Sequence, residues 1–559
     1  MSPPPPDRDL TSIAQARDLA RRAQVAAAEL AEFSQELIDG IVDEAAAAAR
    51  AQVEAFAQLA VAETGYGIVD DKIQKNLFAT DRVHAFIRPM KTVGVVARHP
   101  ERGVIEIAEP FGVVAAVVPS TNPTSTAIYK ILIALKARCP IVISPHPAAV
   151  KSISRVAEVM AEAARRAGAP ADAVSWMTAV TLEGTQELMK RREVAVILAT
   201  GGLGLVRAAY SAGKPAYGVG PGNAPAFIER TADVKKAVRD IVTGKTFDNG
   251  VLCSSENSVV VDEPVADLAR QAFLEQGGYF LSKSEADVLA RALVTPARLP
   301  NPALVGKSAS VIAQACGLSV PTGTRVLIAS LEGVGRDFPL SIEKLCPVLS
   351  WYSVRDWPEG CERCREILRY GGMGHTMSIH SQNDAVILEF GLKKPAFRII
   401  VNSPTTHGSI GLTTGLDPAL TLGCGGFGGN ITSDNISPRH LLNIKRLAYE
   451  TAPVGRAAPL EFDADAAPGV PPSERGIAAD TLRRRIDEFL GGRGIQPSSS
   501  HDLRPPSSVE ATAARLSFVC EDDVRAAMAT GRTLSLADRA IVTPAARELG
   551  DAHRVFEEP

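Results

Sequence analysis

Residues 245–262 have the sequence KTFDNGVLCSSENSVVVD, and the interpretation of the whole chain depends on them. One cysteine, Cys253, stands in a turn rich in Gly and Ser, and a Val-rich stretch that predicts a buried strand follows it directly. Such a turn can hold a thiol at the mouth of a cleft, where it reacts with a substrate. A lone cysteine is more often a buried core residue, so the surrounding segments have to decide between the two interpretations.

The composition predicts a large α/β protein. A chain of 559 residues is too long for one compact core, so we expect two or three domains. Few aromatics and many Ala, Gly and Val residues favour Ala-rich helices packed on Val-rich strands. The formal net charge of −3 provides no long-range attraction to nucleic acid or to an anionic membrane. No apolar run approaches the ~18 residues that a membrane span needs.

The termini and the cysteines indicate a cytoplasmic protein. Residues 1–9 are rich in Pro and charge and lack the apolar core of a secretory signal, so we expect a disordered tail there. The eight cysteines are scattered along the chain, which is typical of free thiols in a reducing compartment. Cys361 and Cys364 form a single Cys-x-x-Cys, which lacks the second pair of a zinc site, and we expect no metal.

The spacing of apolar residues changes along the chain. Helical spacing dominates residues 10–62, and an alternating pattern over residues 92–109 predicts a β-hairpin. Beyond it, short apolar runs bounded by Gly or Pro predict buried parallel strands at residues 113–118, 141–144, 174–178, 194–199 and 226–228. A second α/β stretch extends from about residue 234 to residue 429.

Residues 200–204 predict a phosphate-binding turn. The sequence TGGLG leaves a predicted strand and enters a predicted helix over residues 205–210, so backbone N–H groups and the helix dipole can face a pyrophosphate. The turn lacks the usual Gly-x-Gly-x-x-Gly spacing, and a glycine cluster of this kind is as often only a tight turn.

A series of segments resembles the CoA-acylating aldehyde dehydrogenases, including the dehydrogenase half of bifunctional aldehyde-alcohol dehydrogenases. Besides residues 245–262, the series comprises VVPSTNPTST (117–126), ISPHP (143–147), LATGGLG (198–204), KPAYGVGPGN (214–223), EKLCPV (343–348), GHT (374–376) and LTLGCG (420–425). The segments occur in order over residues 10–449. A series of this length is far more specific than any one of its motifs.

The resemblance implies the aldehyde dehydrogenase fold. This α/β fold combines a Rossmann-like NAD-binding domain, an α/β catalytic domain and a β-hairpin oligomerisation element. On this sequence the NAD-binding domain takes residues 10–91 and 110–230, and the catalytic domain takes residues 231–429. The oligomerisation strands fall in residues 92–109 and 430–450, which implies a homodimer or homotetramer.

The resemblance also implies site residues. Cys253 is the covalent nucleophile and Asn122 binds the oxyanion. His375 either lines the CoA path or deprotonates the CoA thiol, although a lone histidine is more often structural. The residues implied to contact the dinucleotide are Pro119, Ser120, Thr121, Pro145, His146, Thr200, Gly201, Gly202, Gly220, Glu343 and Leu422. Glu343 would take the ribose hydroxyls. NAD is the favoured cofactor. NADP stays open, because residues 144–147 contain neither an acid nor an arginine that would contact the 2′ position.

One absence bears on the reaction. Hydrolytic aldehyde dehydrogenases carry a Glu upstream of the cysteine that activates the deacylating water, whereas residues 218–223, GVGPGN, contain no acid. Without that base, water attacks a thioester slowly, and a thiol is the better acceptor. We therefore predict that a short-chain aldehyde, NAD and CoA give acyl-CoA and NADH through a thioester on Cys253.

Two alternative functions stay open: a non-acylating enzyme that makes the free acid, and a catalytically dead scaffold. The substrate also stays open among acetaldehyde, propionaldehyde and sulfoacetaldehyde.

The chain continues beyond the region of resemblance. Residues 451–516 are rich in Pro, Ser and charge and predict a linker, within which residues 477–490 could form a short amphipathic helix. The extension over residues 517–559 predicts two short helices around a hairpin-like segment at 533–543. Both resemble encapsulation extensions of bacterial microcompartment enzymes, which implies docking on a shell protein. The alternatives are a disordered tail and packing on this enzyme's own oligomer.

Overall fold

The computed structural model describes residues 7–452 and 516–556, together with the single position 484. They fall into two compact units, Met1–Arg456 and Ala457–Pro559, which are described separately below. Residues 1–6, the predicted linker and the helix predicted over 477–490 lie outside the described residues. Only positions 451, 452, 484 and 516 of these segments are described. Within the described ranges, no helix is both long and apolar enough to cross a bilayer.

The first unit alternates helices and strands over most of its length. Its helices are α1 (Arg8–Ala31), α2 (Gln35–Arg50), α3 (Val53–Thr64), α4 (Val69–Leu77), α5 (His84–Ile87), α6 (Pro123–Lys136), α7 (Val150–Arg166), α8 (Leu182–Lys190), α9 (Leu203–Tyr210), α10 (Val234–Thr246), α11 (Glu263–Glu275), α12 (Lys283–Leu293), α13 (Ala309–Ala315), α14 (Trp357–Tyr370), α15 (Asp384–Leu392) and α16 (Thr405–Ser409).

The strands of this unit form three sheets. They are β1 (Gly94–His99), β2 (Val104–Pro110), β3 (Val113–Val118), β4 (Ile141–Pro145), β5 (Val174–Trp176), β6 (Val194–Thr200), β7 (Ala216–Val219), β8 (Ala224–Ile228), β9 (Glu256–Asp262), β10 (Gly278–Phe280), β11 (Val326–Ser330), β12 (Val348–Val354), β13 (Gly374–His380), β14 (Ala396–Val401) and β15 (Leu442–Ala448).

The first helix begins inside the segment that we predicted as a disordered tail. α1 starts at Arg8 because the side chain of Asp7 accepts a hydrogen bond from the N–H of Asp9 at 2.9 Å. A carboxylate in this position satisfies a helix donor that has no partner within the helix. The prediction for residues 7–9 was therefore wrong, because a capping aspartate can start a helix within a charged segment.

A five-stranded parallel sheet confirms the strands predicted from residue 113 to residue 199. Its order is β5-β4-β3-β6-β7, and every residue of β3 is buried. The chain moves outward in one direction from β3 to β5 and in the other direction from β6 to β7. Open parallel sheets bind ligands in the crevice at such a reversal, beyond the carboxyl ends of the strands. The sheet thus places Pro119, which follows β3, and Thr200, which ends β6, at the same crevice.

A seven-stranded parallel sheet forms the second half of the unit, in the order β10-β11-β12-β9-β8-β13-β14. Residues 226–228, which we grouped with the first sheet, belong here, because Ala226 pairs with Val259 of β9 and Ser378 of β13. The apolar run alone could not show this, because a buried strand has the same sequence pattern in either sheet. The strands of the first sheet end at Val219, so residues 220–223 connect the two sheets.

The predicted hairpin is present as part of a three-stranded antiparallel sheet. β2 pairs with β1 on one side and with β15 on the other. The outer strand β15 is largely exposed, with Leu447 50% accessible. An exposed strand edge of this kind is able to pair with another chain.

The second unit has a different topology from the one predicted. Its elements are β16 (Leu516–Val519), α17 (Glu521–Thr530), β17 (Leu536–Val542) and α18 (Pro544–Ala552), and β16 and β17 pair in parallel. The hairpin-like interpretation of residues 533–543 was wrong, because the partner of β17 lies before α17. The two helices were predicted correctly, and the unit has its own small apolar core around Val519, Val524 and Ala546.

Candidate active site

A left-handed turn presents the predicted nucleophile. α10 ends at Thr246, and the turn Phe247–Gly250 follows, in which Asp248 and Asn249 have φ of 49° and 52°. Asp and Asn tolerate this conformation better than other residues with a side chain. The turn directs the chain so that Cys253 lines a cavity, while its neighbours Leu252 and Ser254 are buried.

The cavity has a volume of about 430 Å³ and lies at the carboxyl ends of the strands of the first sheet. Cys253 and Asn122 both line it. Ten of the eleven residues predicted to contact the dinucleotide also line it, namely Pro119, Ser120, Thr121, Pro145, His146, Thr200, Gly201, Gly202, Gly220 and Glu343. The exception, Leu422, is buried in the apolar core and is not part of the lining.

The connection between β5 and α8 forms a wall of the cavity that the sequence analysis missed. Val180, Thr181, Leu182 and Thr185 line the cavity from this side. Thr181 caps α8, since its side chain accepts a hydrogen bond from the N–H of Gly184 at 3.2 Å. A Thr in N-cap position five residues after a short strand was a usable signal, because a helix start near the carboxyl end of a parallel strand faces the ligand crevice.

The glycine turn fits the phosphates of a dinucleotide. α9 begins at Leu203, two residues earlier than predicted, because Gly202 has extended backbone angles and serves as the N-cap. The Oγ1 of Thr200 is buried at the cavity wall, and no described residue pairs with it. A Cβ on Gly201 would lie 2.7 Å from the side chain of Leu205. An unpaired hydroxyl and a helix N-terminus together form a suitable cradle for a phosphate.

His375 lies directly behind the nucleophile. Its Nε2 is 3.2 Å from the Sγ of Cys253, and its Nδ1 is 3.0 Å from the Oγ1 of Thr376. Burial and the nearby Arg398 lower the pKa of His375 to about 3, so the ring is neutral. A neutral ring whose Nδ1–H donates to Thr376 has a free lone pair on Nε2 that can accept the thiol proton.

The thiol is protonated in this arrangement. Burial, and then the carboxylate of Glu343, raise the pKa of Cys253 to about 12, whereas Arg398 acts in the opposite direction. Burial also raises the pKa of Glu343 to about 8, while its Oε1 accepts a hydrogen bond from the N–H of Gly222 at 2.9 Å. Glu343 is therefore fixed against residues 218–223, at the side of the cavity that contains Cys253.

Close packing explains why residues 218 and 222 are glycines. A Cβ on Gly222 would lie 1.9 Å from the carbonyl oxygen of Cys253, and a Cβ on Gly218 would lie 2.7 Å from Tyr210 and Val206. No side chain fits at either position without moving the nucleophile segment or α9. At these two positions the absence of an acid, noted in the sequence, thus has a steric cause.

Asn122 is held by charged groups that the sequence analysis missed. It precedes Pro123, the first residue of α6, and its Oδ1 accepts a hydrogen bond from Lys75 Nζ at 2.6 Å. Lys75 and Lys72 both contact the buried carboxylate of Asp248. Lysines on a short helix are usually exposed, so the sequence pattern of α4 gave no reason to place them at the site.

Cys361 and Cys364, the single Cys-x-x-Cys, take no part in this geometry. Cys361 and Cys364 are buried on α14, as their helical spacing predicted, and the Nζ of Lys394 donates to the Cys361 Sγ. Within the described residues, no group of three His, Cys, Asp or Glu side chains is arranged to hold a metal ion.

Two parallel sheets, with a cysteine at a cavity beyond the carboxyl ends of the first sheet, are the arrangement expected of the aldehyde dehydrogenase fold. The chain belongs to the aldehyde dehydrogenase family. The model of that family matches residues 8–278. The succinate-semialdehyde dehydrogenase (acetylating) of Clostridium kluyveri is 37% identical over 433 residues, which are 78% of this chain and 95% of that protein.

Further relatives include longer proteins. The bifunctional aldehyde-alcohol dehydrogenase AdhE of Escherichia coli K12 is 43% identical over 444 residues, which are 78% of this chain but only 50% of AdhE. The chain thus spans about half the length of this relative and of several similar ones.

Solved structures agree with this assignment. The acetylating aldehyde dehydrogenase of Geobacillus thermoglucosidasius superposes with a TM-score of 0.79 at 46% identity, covering 81% of this chain and all of that one. A propionaldehyde dehydrogenase from the fucose utilisation microcompartment of Clostridium phytofermentans has a TM-score of 0.71 at 27% identity, covering 79% of this chain and 98% of that one. These structures confirm the predicted fold.

The protonated thiol leads to a test on the free enzyme. Below its pKa, the thiolate fraction of Cys253 rises about tenfold per pH unit, so alkylation by iodoacetamide should accelerate about tenfold per pH unit, or about 100-fold between about pH 7 and about pH 9. Peptide mapping by mass spectrometry follows Cys253 separately from the other cysteines, and Cys253→Ala serves as the control. A rate that is already constant near neutral pH would contradict this prediction, because it would reveal a preformed thiolate–imidazolium pair.

Proposed function

We propose that this protein oxidises a short-chain aldehyde with NAD and CoA to acyl-CoA and NADH. The observation that carries the proposal is the pair formed by Cys253, which lines the cavity, and the neutral His375, whose Nε2 lies 3.2 Å from the thiol, next to a 218–223 segment without an acid. The pair brings a proton acceptor within hydrogen-bond distance of the thiol, and the segment offers no base for water. The acetylating relatives support the same reaction.

The cavity would hold the dinucleotide. When bound, NAD supplies the acceptor for the hydride of the aldehyde. The pyrophosphate would lie against the N-terminus of α9, and Glu343 would face the ribose beside the nicotinamide. At the opposite end, Pro145, His146, Val180 and Leu182 would surround the adenosine; this set contains neither an acid nor an arginine, so NADP stays open.

The first half of the reaction makes an acyl-enzyme. His375 Nε2 accepts the proton of Cys253, and the thiolate attacks the aldehyde carbon to give a thiohemiacetal oxyanion. The amide of Asn122 and the backbone N–H of Cys253 donate hydrogen bonds to this oxyanion, which are worth roughly 3–4 kcal/mol per donor in comparable sites. When the oxyanion collapses and the hydride leaves, a thioester remains on Cys253, and His375 releases its proton.

The second half transfers the acyl group to CoA. His375 accepts the proton of the CoA thiol, and the resulting thiolate attacks the thioester carbonyl. The Cys253 thiolate leaves and takes the proton back from His375, so the site returns to its resting form. The same histidine serves both halves, because in each the proton of a thiol has to be accepted next to Cys253.

A second candidate function has one supporting observation. Glu343 lies close enough to raise the pKa of Cys253 and itself has a pKa raised to about 8, so it could accept a proton from water and release the free acid. Against this, its Oε1 is engaged with the N–H of Gly222. The two functions differ in whether turnover needs CoA.

NADH formation with and without CoA tests the proposal. With acetaldehyde, propionaldehyde, butyraldehyde or sulfoacetaldehyde, we expect sustained turnover only when CoA is present. Without CoA, we expect one equivalent of NADH per active site, because the thioester accumulates. Cys253→Ala should abolish both signals. Sustained CoA-independent turnover would contradict the proposal, and its loss in Glu343→Gln at saturating NAD, with the NADH burst retained, would identify the base of a hydrolytic enzyme.

We also propose that the chain forms a homodimer or homotetramer through the three-stranded sheet. β15 is one of the two edge strands of this sheet, and Leu447 on it and Tyr449 just beyond it are exposed. Pairing with a second copy would satisfy the free backbone groups of that edge and cover both side chains.

The extension is proposed to dock on a microcompartment shell protein in the cytoplasm. Its β-α-β-α unit leaves the apolar side chains of Met528 and Ile541 exposed, at 38% and 66% accessibility. Residues 453–515, which precede it, are rich in Pro and Ser and would provide reach for docking. The short helix predicted at residues 477–490 is the other candidate contact.

A truncated chain tests this docking. A variant that ends at Ala452 should form NADH at the rate of the full chain but should fail to co-sediment with purified shells, whereas the full chain co-sediments. Truncated protein that still co-sediments would contradict the proposal, because the docking contact would then lie in the catalytic part.

A further inference from the structure

Two lysines on α4 are buried next to the catalytic turn. Lys72 and Lys75 are three residues apart, hence on the same face of the helix, and their side chains are 1% and 2% exposed. Removing two ammonium groups from water is costly unless each is paired and hydrogen-bonded. Neither lysine takes part in the reaction as written above, so their burial calls for another role.

One carboxylate anchors both lysines. Asp248, which is fully buried, contacts Lys75 and lies 3.0 Å from the Nζ of Lys72 through its Oδ2. Its Oδ1 accepts a hydrogen bond from the N–H of Ile68 at 2.7 Å, and its own N–H donates to Asp71 at 2.7 Å. The carboxylate therefore has a fixed position, in the same turn that presents Cys253.

The ammonium groups hold two consecutive residues of the turn before α6. Lys72 donates to the carbonyl oxygen of Thr121 at 3.2 Å, and Lys75 donates to the Oδ1 of Asn122 at 2.6 Å. An ammonium group has three donors and no acceptor, so the side of the Asn122 amide that faces Lys75 has to be the oxygen. The NH₂ group is thereby directed away from Lys75, and its Nδ2 lies 3.2 Å from the Oγ1 of Thr121, which lines the cavity.

We propose that Lys75 is a positioning residue that fixes the amide of Asn122 with its NH₂ group available to the oxyanion formed on Cys253. The inference rests on the proposed function, because it requires Asn122 to donate to that oxyanion. A cation on the amide oxygen also makes the N–H groups stronger donors. Since Asp248 precedes Cys253 by five residues, one turn sets the positions of both the nucleophile and the oxyanion donor.

A double-mutant cycle with Lys75→Met and Asn122→Ala tests the inference, with kcat of CoA-dependent NADH formation as the readout. Asn122→Ala should lower kcat about 100- to 1000-fold, as loss of one oxyanion donor does. Lys75→Met should lower kcat about 10- to 100-fold in the wild-type background, because a misplaced donor loses much of its effect. In the Asn122→Ala background, Lys75→Met should change kcat by less than about twofold.

If the kcat losses of the two single variants multiplied in the double variant, the inference would be overturned, because Lys75 would then act independently of Asn122. Wild-type kcat in Lys75→Met would also overturn it. If Asn122→Ala retained wild-type kcat, the oxyanion role in the proposed function would fail, and the inference with it. Should Lys75→Met fail to fold, the same cycle is measured with Lys75→Gln, which is subject to the same criterion of non-additive losses.

Two further measurements separate positioning from general structural damage. The rate of Cys253 alkylation should be unchanged in Lys75→Met, because Lys75 acts on the oxyanion donor and not on the thiol; a loss parallel to that of kcat would overturn the inference. Lys136→Met is the matched control. Lys136 is an equally buried lysine, bonded to the carbonyl of Arg88 at 2.8 Å at the far end of α6, and its replacement should lower the melting temperature and leave kcat unchanged.

Discussion

The buried carboxylate of Asp248, placed between the ammonium groups of Lys72 and Lys75, is the interaction on which the geometry of the site depends. It connects α4, the turn before α6 and the turn before Cys253, three segments that are far apart in sequence. A buried pair of this kind adds little net stability but strongly disfavours any arrangement in which one charge is left unpaired. The cluster therefore contributes mainly to structural specificity and little to stability. It fixes the separation between the nucleophile Cys253 and the oxyanion donor Asn122.

The electrostatics around Cys253 favour a neutral resting state. Burial raises the pKa of the thiol to about 12 and lowers the pKa of His375 to about 3, so neither group is charged before substrate binds. A thiol is less readily oxidised than a thiolate, so the free enzyme is protected while the ring that accepts its proton is already 3.2 Å away. Glu343 raises the pKa of the thiol and Arg398 lowers it.

The local pattern of the sequence predicted most of the fold, because buried parallel strands and Ala-rich helices have clear periodicities. It could not assign residues 224–228 to a sheet or show that β16 and β17 pair in parallel, since both depend on partners distant in sequence. The predicted site residues line one cavity except for Leu422 and for His375, which lies behind Cys253. Lys72, Lys75 and Asp248 escaped prediction for a different reason: a buried charge is specified by its partner, and no periodicity marks the pair.

The central claim is that Cys253 carries the acyl group between aldehyde and CoA, and transfer in the reverse direction tests it most directly. The enzyme is incubated with propionyl-CoA in the absence of dinucleotide, and all eight cysteines are then examined by peptide mass spectrometry. The account predicts a propionyl thioester on Cys253, release of free CoA, and no thioester in Cys253→Ala. A propionyl group on any other cysteine, or CoA release without an acyl-enzyme on Cys253, would contradict it.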